Sequence, residues 1–97
     1  MLANINRWRG QVSLESVNAE VLRQQSTDLG LSDGKGTLVD FSGTDAKTGK
    51  PARLVGVVVP REGQTWFYKM MGDPGVSESE KPTFLKFVQS VQYSHGH

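Results

Sequence analysis

The chain has 97 residues, too few for more than one domain of ordinary size. Eleven basic and ten acidic side chains leave a net charge of +1, which supplies no electrostatic argument for nucleic acid or a membrane surface. There is no cysteine, so disulfides, thiolate nucleophiles and thiolate metal sites are excluded, while 36% hydrophobic and 22% charged residues mark a globular chain.

In "MLANINRWRG" the residues Leu2, Ile5 and Trp8 recur every third position between polar neighbours. That spacing predicts a short amphipathic helix over 2–9, stopped at Gly10. "SLESVNAEVLRQQ" holds caps at Ser16 or Asn18 before good helix formers, which predicts a second helix over 19–25. The turn-rich "DLGLSDGKG" reads as loop. "GTLVDFSG" alternates as a strand does, "GTDAKTGK" is a hairpin connection, and "PARLVGVVV" is β-branched and apolar on both faces, the mark of a covered central strand. "PREG" is the next turn, and Gln64 to Met71 is a third strand. In "SESEKPTFLKFVQSVQY", Phe84, Val88 and Val91 share a helical stripe. Proline is tolerated only near a helix start, so Pro82 places that start at Glu80 behind Ser79. The tail "SHGH", 94–97, has no packing signal and is expected to be disordered.

If "PREG" pairs Val59 with Gln64, then Gly56 lies opposite Phe67, whose ring fills the missing side chain. If Phe41 pairs with Ala52, Asp40 lies opposite Arg53 as a cross-strand ion pair. A strand apolar on both faces needs a layer on each side. The expected fold is therefore α+β: an antiparallel meander of three or more strands between the N-terminal helices and a C-terminal helix, one domain over 1–93. The expected core is Leu2, Ile5, Trp8, Leu22, Leu38, Val39, Phe41, Leu54, Val55, Val57, Val58, Trp66, Phe67, Phe84, Leu85, Val88 and Val91.

Two segments carry a family resemblance: "LANINRWRGQVSL", 2–14, and "GQTWFYKMMGDPGVSESEKPTFLKFVQSVQY", 63–93. They resemble a family of uncharacterised bacterial proteins of planctomycete and verrucomicrobial type. That family is similar to the PsbP-like superfamily, shared with the eukaryotic Ran-binding Mog proteins. The resemblance implies a helix–sheet–helix sandwich, a binding or assembly role, a cell-envelope or periplasmic setting, and no shared catalytic residues. It also implies strands before residue 1, where this chain opens on a helix. Residues 1–15, with Asn4, Asn6, Arg7 and Arg9, form no signal-peptide core.

Each chemical candidate competes with a plainer role. Trp66, Phe67 and Tyr68 can stack a ring-shaped ligand or pack a core, and packing fits the alternation better. Trp8, Trp66 and Tyr68 are the residues expected to line a pocket if the protein is a small-ligand carrier. "RWRG" reads as an amphipathic helix rather than a nucleic-acid contact. His95 and His97 lack a third metal ligand, and "SDGKGT" lacks phosphate-loop spacing. Asp73 in "GDPG" is expected to form an Asx-type turn. No catalytic residue, metal site, cofactor or membrane span is assigned. The function expected is a non-catalytic protein-binding or assembly module of unassigned partner, with a homodimer through an exposed sheet edge. The alternative is the aromatic-pocket carrier.

Overall fold

The computed structural model describes residues 1–31, 34–61 and 63–91. Its elements follow the chain as α1 (Leu2–Gln11), α2 (Ala19–Gln25), β1 (Thr27–Leu31), β2 (Gly34–Thr44), β3 (Pro51–Arg61), β4 (Gln64–Gly72) and α3 (Pro74–Ser90). The four strands form one antiparallel sheet in the order β1-β2-β3-β4. The fold is α+β, with α1 and α2 on one face of the sheet and α3 on the other. The expected tail at 94–97, with His95 and His97, lies outside the described residues, as do positions 92–93 of the expected domain.

β3 explains the layering. Leu54 to Val59 are buried without a break, because even positions face α1 and odd positions face α3. Ala52, Leu54 and Val58 meet Ile5, Trp8, Val12 and Leu22, while Val57 and Val59 meet Leu29 and Val88. Gly56 gives up its side chain to α1. A Cβ built there would lie 2.8 Å from Cε3 of Trp8 and nearer still to Cζ3. The indole therefore occupies the space of the absent side chain, and it meets Phe67 edge-on at 6.2 Å. The expected cover for Gly56 is corrected: the ring is Trp8, and Phe67 stands beside it.

Both hairpin registers differ from expectation. Val59 pairs with Trp66 instead of Gln64, and Phe41 with Leu54 instead of Ala52. The "PREG" connection is shorter than expected, because Arg61 already pairs with Gln64 and Gly63 takes φ +80°. A displacement of two residues returns every side chain to its own face. Asp40 and Arg53 thus remain on the α3 face as diagonal neighbours and still form their ion pair.

Two elements differ more deeply. The stretch expected as loop contains β1, which pairs Thr27 with Leu38 and Leu31 with Gly34. Asp28 and Gly30 lower its strand propensity, and Leu29, packed with Val57 and Val59, outweighs them. Helix α3 begins at Pro74, not Glu80. Asp73 caps it, its Oδ1 accepting from Gly75 N at 2.9 Å and Val76 N at 3.3 Å, with Pro74 in the first turn. Pro82 is carried inside the helix at an exposed position. Ser77 is buried, its amide bonded to the Asp73 carbonyl at 2.8 Å.

Of the expected core, Phe67 is 45% exposed, and Leu2, Leu38, Phe41, Trp66, Phe84, Leu85 and Val91 are partly buried. Val12, Leu29, Ala52 and Val59 are buried in addition.

Candidate functional site

The sheet has two ends, β1 and β4, and they are finished differently. Each presents backbone groups that no neighbouring strand accepts, and which residues present them follows from the ladder. A hydrogen-bonded antiparallel pair exchanges two N–H···O bonds, and such pairs alternate with pairs that exchange none. Pro60 has no N–H, so its pair with Thr65 is of the second kind. Alternation from there makes Trp66, Tyr68 and Met70 bond inward to β3. Thr65, Phe67, Lys69 and Met71 then direct their N–H and C=O groups away from the sheet. Among the described residues no backbone group outside β4 bonds to these four.

The same rule applied to β1 directs the groups of Asp28 and Gly30 outward. There Gln89, from α3, donates its Nε2–H to the Gly30 carbonyl at 3.0 Å. β1 has 5 residues and β4 has 9. One end of the sheet is short and held by a helix side chain, and the other is long and open.

Aromatic rings border the open end on both faces. On the α1 face stands Phe67 against Trp8. On the α3 face Phe87, 55% exposed, meets Tyr68 edge-on at 6.1 Å. Phe67 and Phe87, with Met1 and Val76, are the large apolar side chains left exposed among the described residues. Two of these four therefore flank the strand whose backbone is open. A lysine on an edge strand ordinarily discourages pairing. Lys69 is drawn back over the α1 face instead, its Nζ 2.7 Å from Oε1 of Gln11. A shallow cleft of about 320 Å³, lined by Gln11, Asp45, Ala46, Lys47, Lys69 and Met71, opens beside it.

The residues expected to line an aromatic pocket do not come together. Trp8 is 5% exposed on the α1 face, whereas Trp66 and Tyr68 lie on the α3 face. The sheet separates them, so no pocket is lined by all three. A cleft of about 750 Å³, lined by residues from the start of α1 and from α2, β1 and β2, contains no aromatic residue among its walls. In "RWRG", Arg9 is used internally: its Nε donates to the Glu15 carbonyl at 2.6 Å and its guanidinium lies 5.5 Å from the centre of the Phe41 ring.

One polar cluster sits on the α3 face. Asp40 accepts from Arg53 Nε at 2.8 Å and Nη2 at 2.6 Å, and from Lys81 Nζ at 2.7 Å. The Arg53 hydrogen bonds hold the Asp40 carboxyl below the ordinary carboxylate range, against the burial that would raise it, with Lys81 adding to the lowering. The cluster fastens α3 to the sheet, and Asp40, Arg53 and Lys81 line neither the 320 Å³ nor the 750 Å³ cleft. Among the described residues no group of three or more His, Asp or Glu side chains is placed to hold a metal ion, and no helix is long and apolar enough to cross a membrane.

The open end of β4 was visible in the sequence only as "an edge". Its outward set depended on Pro60 and on the length of the hairpin turn, and the hold on the Gly30 carbonyl of β1 depended on Gln89. Comparison with known protein families, curated proteins and solved structures found no match for this chain.

Proposed function

We propose that the protein is a strand-docking module: it takes up an extended segment along β4 and works by assembly rather than by chemistry on a substrate. The observation that carries this is the difference between the two sheet ends. Gln89 holds a β1 carbonyl, while among the described residues the outward groups of Thr65, Phe67, Lys69 and Met71 meet no backbone partner and are bordered by the exposed rings of Phe67 and Phe87. Strand addition of this kind draws affinity from main-chain hydrogen bonds and selectivity from alternate side chains. The role implied by the PsbP-like resemblance is of the same class, but the proposal rests on the edge geometry alone.

The test is to pan a displayed library of random ten-residue peptides against the protein at nanomolar concentration. Recovered peptides should alternate apolar and polar residues and should lose binding to Lys69→Pro. That substitution removes one outward N–H and spares the ladder to β3. No enrichment by protein that is monomeric at the panning concentration, or equal binding to Lys69→Pro in a variant that melts like the parent, would sink the proposal.

A further inference from the structure

The outward groups of β4 have a symmetry of their own. Thr65, Phe67, Lys69 and Met71 are spaced evenly about Tyr68, the middle residue of a strand that runs Gln64–Gly72. Consider a second β4 laid antiparallel against the first, related by a two-fold axis perpendicular to the sheet. Facing residues must then point to the same side of the sheet, so the pairing is centred on a residue. Centred on Tyr68, Thr65 faces Met71 of the second copy and Phe67 faces Lys69. Every outward N–H and C=O on each strand then has a partner. Centred on Phe67 or Lys69, the register leaves outward groups beyond the end of the other strand. The Lys69-centred register also sets the two Lys69 side chains against each other, which is destabilising.

The side chains agree with the same centre. On the α1 face each Lys69 stem lies beside a Phe67 ring and covers it with apolar methylenes while Nζ stays on Gln11. On the α3 face Trp66 lies beside Met70, a sulfur–aromatic neighbour. Phe87 packs on Tyr68, so the two-fold brings both exposed Phe87 rings to the axis. No charge of like sign meets across the junction of the two strands, since Lys69 is the one charged residue in β4.

Resting on the strand-docking proposal, we infer that the strand taken up is β4 of a second copy of this chain, joined in the Tyr68-centred register. The product is a two-fold dimer with one continuous sheet, ended on both outer sides by the short β1. This is an isologous contact: one patch satisfies itself, and the assembly closes at two copies.

The absence of native cysteine makes the register directly readable. Phe67→Cys and Lys69→Cys proteins are prepared separately, then mixed and mildly oxidised. Facing Cα atoms of a hydrogen-bonded pair lie about 5.5 Å apart, within disulfide reach. Like positions of the two copies lie about 8–9 Å apart in this register, beyond it. The mixture should cross-link and each protein alone should not. Thr65→Cys with Met71→Cys should behave in the same way, and Thr65 lies far enough from the core to keep that test valid if Phe67→Cys folds poorly. Sedimentation should show a dimer that Lys69→Pro weakens about tenfold or more. Cross-linking of Phe67→Cys or Lys69→Cys alone would overturn the register. A dimer unaffected by Lys69→Pro would overturn the contact. A monomer at hundreds of micromolar, for a protein that still selects peptides in the panning experiment, overturns self-pairing and leaves strand docking standing. A monomer that also selects no peptide overturns both.

Discussion

The contact between Trp8 and Gly56 is a pair of residues whose sizes depend on each other, so it makes a sharp test of the packing between α1 and the sheet. Gly56→Ala places a methyl group where the six-membered ring of Trp8 lies, with Cε3 and Cη2 at 2.8 and 3.1 Å. Trp8 is 5% exposed and wedged between the sheet and Phe67, so it has little room to retreat. Overpacking of this sort costs about 1–3 kcal/mol. Trp8→Ala alone should cost about 3–5 kcal/mol through lost burial and the cavity left behind. In the Trp8→Ala background the obstruction is gone. Gly56→Ala should then be neutral, or stabilising by about 0.4–1 kcal/mol, because alanine restricts the unfolded chain more than glycine does. The double-mutant cycle should therefore show coupling of about 1–4 kcal/mol. Urea denaturation followed by Trp66 fluorescence reads all four proteins, since Trp66 remains in each. Equal costs of Gly56→Ala in the two backgrounds would refute the claim that the indole fills the glycine's place.

Further outcomes follow from other contacts. Asp40→Ala leaves Arg53 and Lys81 facing each other without their shared carboxylate and should cost about 1.5–3 kcal/mol at neutral pH. Because folding lowers the Asp40 pKa, its contribution is complete above the ordinary aspartate range and fades as pH falls through the lower folded value. Asp40→Asn should thus flatten the acid limb of the stability profile, and an unchanged acid limb counts against the pair. Pro82 withholds an N–H inside α3, so Pro82→Ala should raise stability by about 1–3 kcal/mol in thermal unfolding. A loss would show that the proline's shape is needed there. Gln89→Ala should release the Gly30 carbonyl and increase amide exchange in β1 without affecting β4, and a uniform change would remove the distinction between the two ends.

The sequence was most informative where one residue type has one physical use. Asn18 and the helix formers after it mark α2, and the accepted hydrogen bond from Val21 N to Asn18 Oδ1 at 2.9 Å is the cap expected of such a residue. The unbroken apolar run in β3 declared its two covered faces, and with them the layer on each side. The registers were less legible because a turn's length is not written in its composition: "PREG" serves equally as four turn residues or as strand, turn and strand. The face of each side chain survived that error, since strands repeat every two residues. β1 was hidden because its two poor strand formers, Asp28 and Gly30, are rescued by the distant contacts of Leu29. The start of α3 was hidden by Pro82, whose rule is statistical, whereas the Asp73–Pro74 cap that prevails is local and complete. The aromatic pocket failed because alternation within β4 says that Trp66 and Tyr68 share a face, but nothing in α1 says which face Trp8 will cover.

The central claim, that β4 is the surface of assembly, is tested most directly by residue-resolved amide exchange over a dilution series. At high concentration the amides of Thr65, Phe67, Lys69 and Met71 should be as protected as those of Trp66, Tyr68 and Met70. On dilution the first set alone should lose its protection. Free exchange of the first set at every concentration, and with every strand offered, would contradict the account.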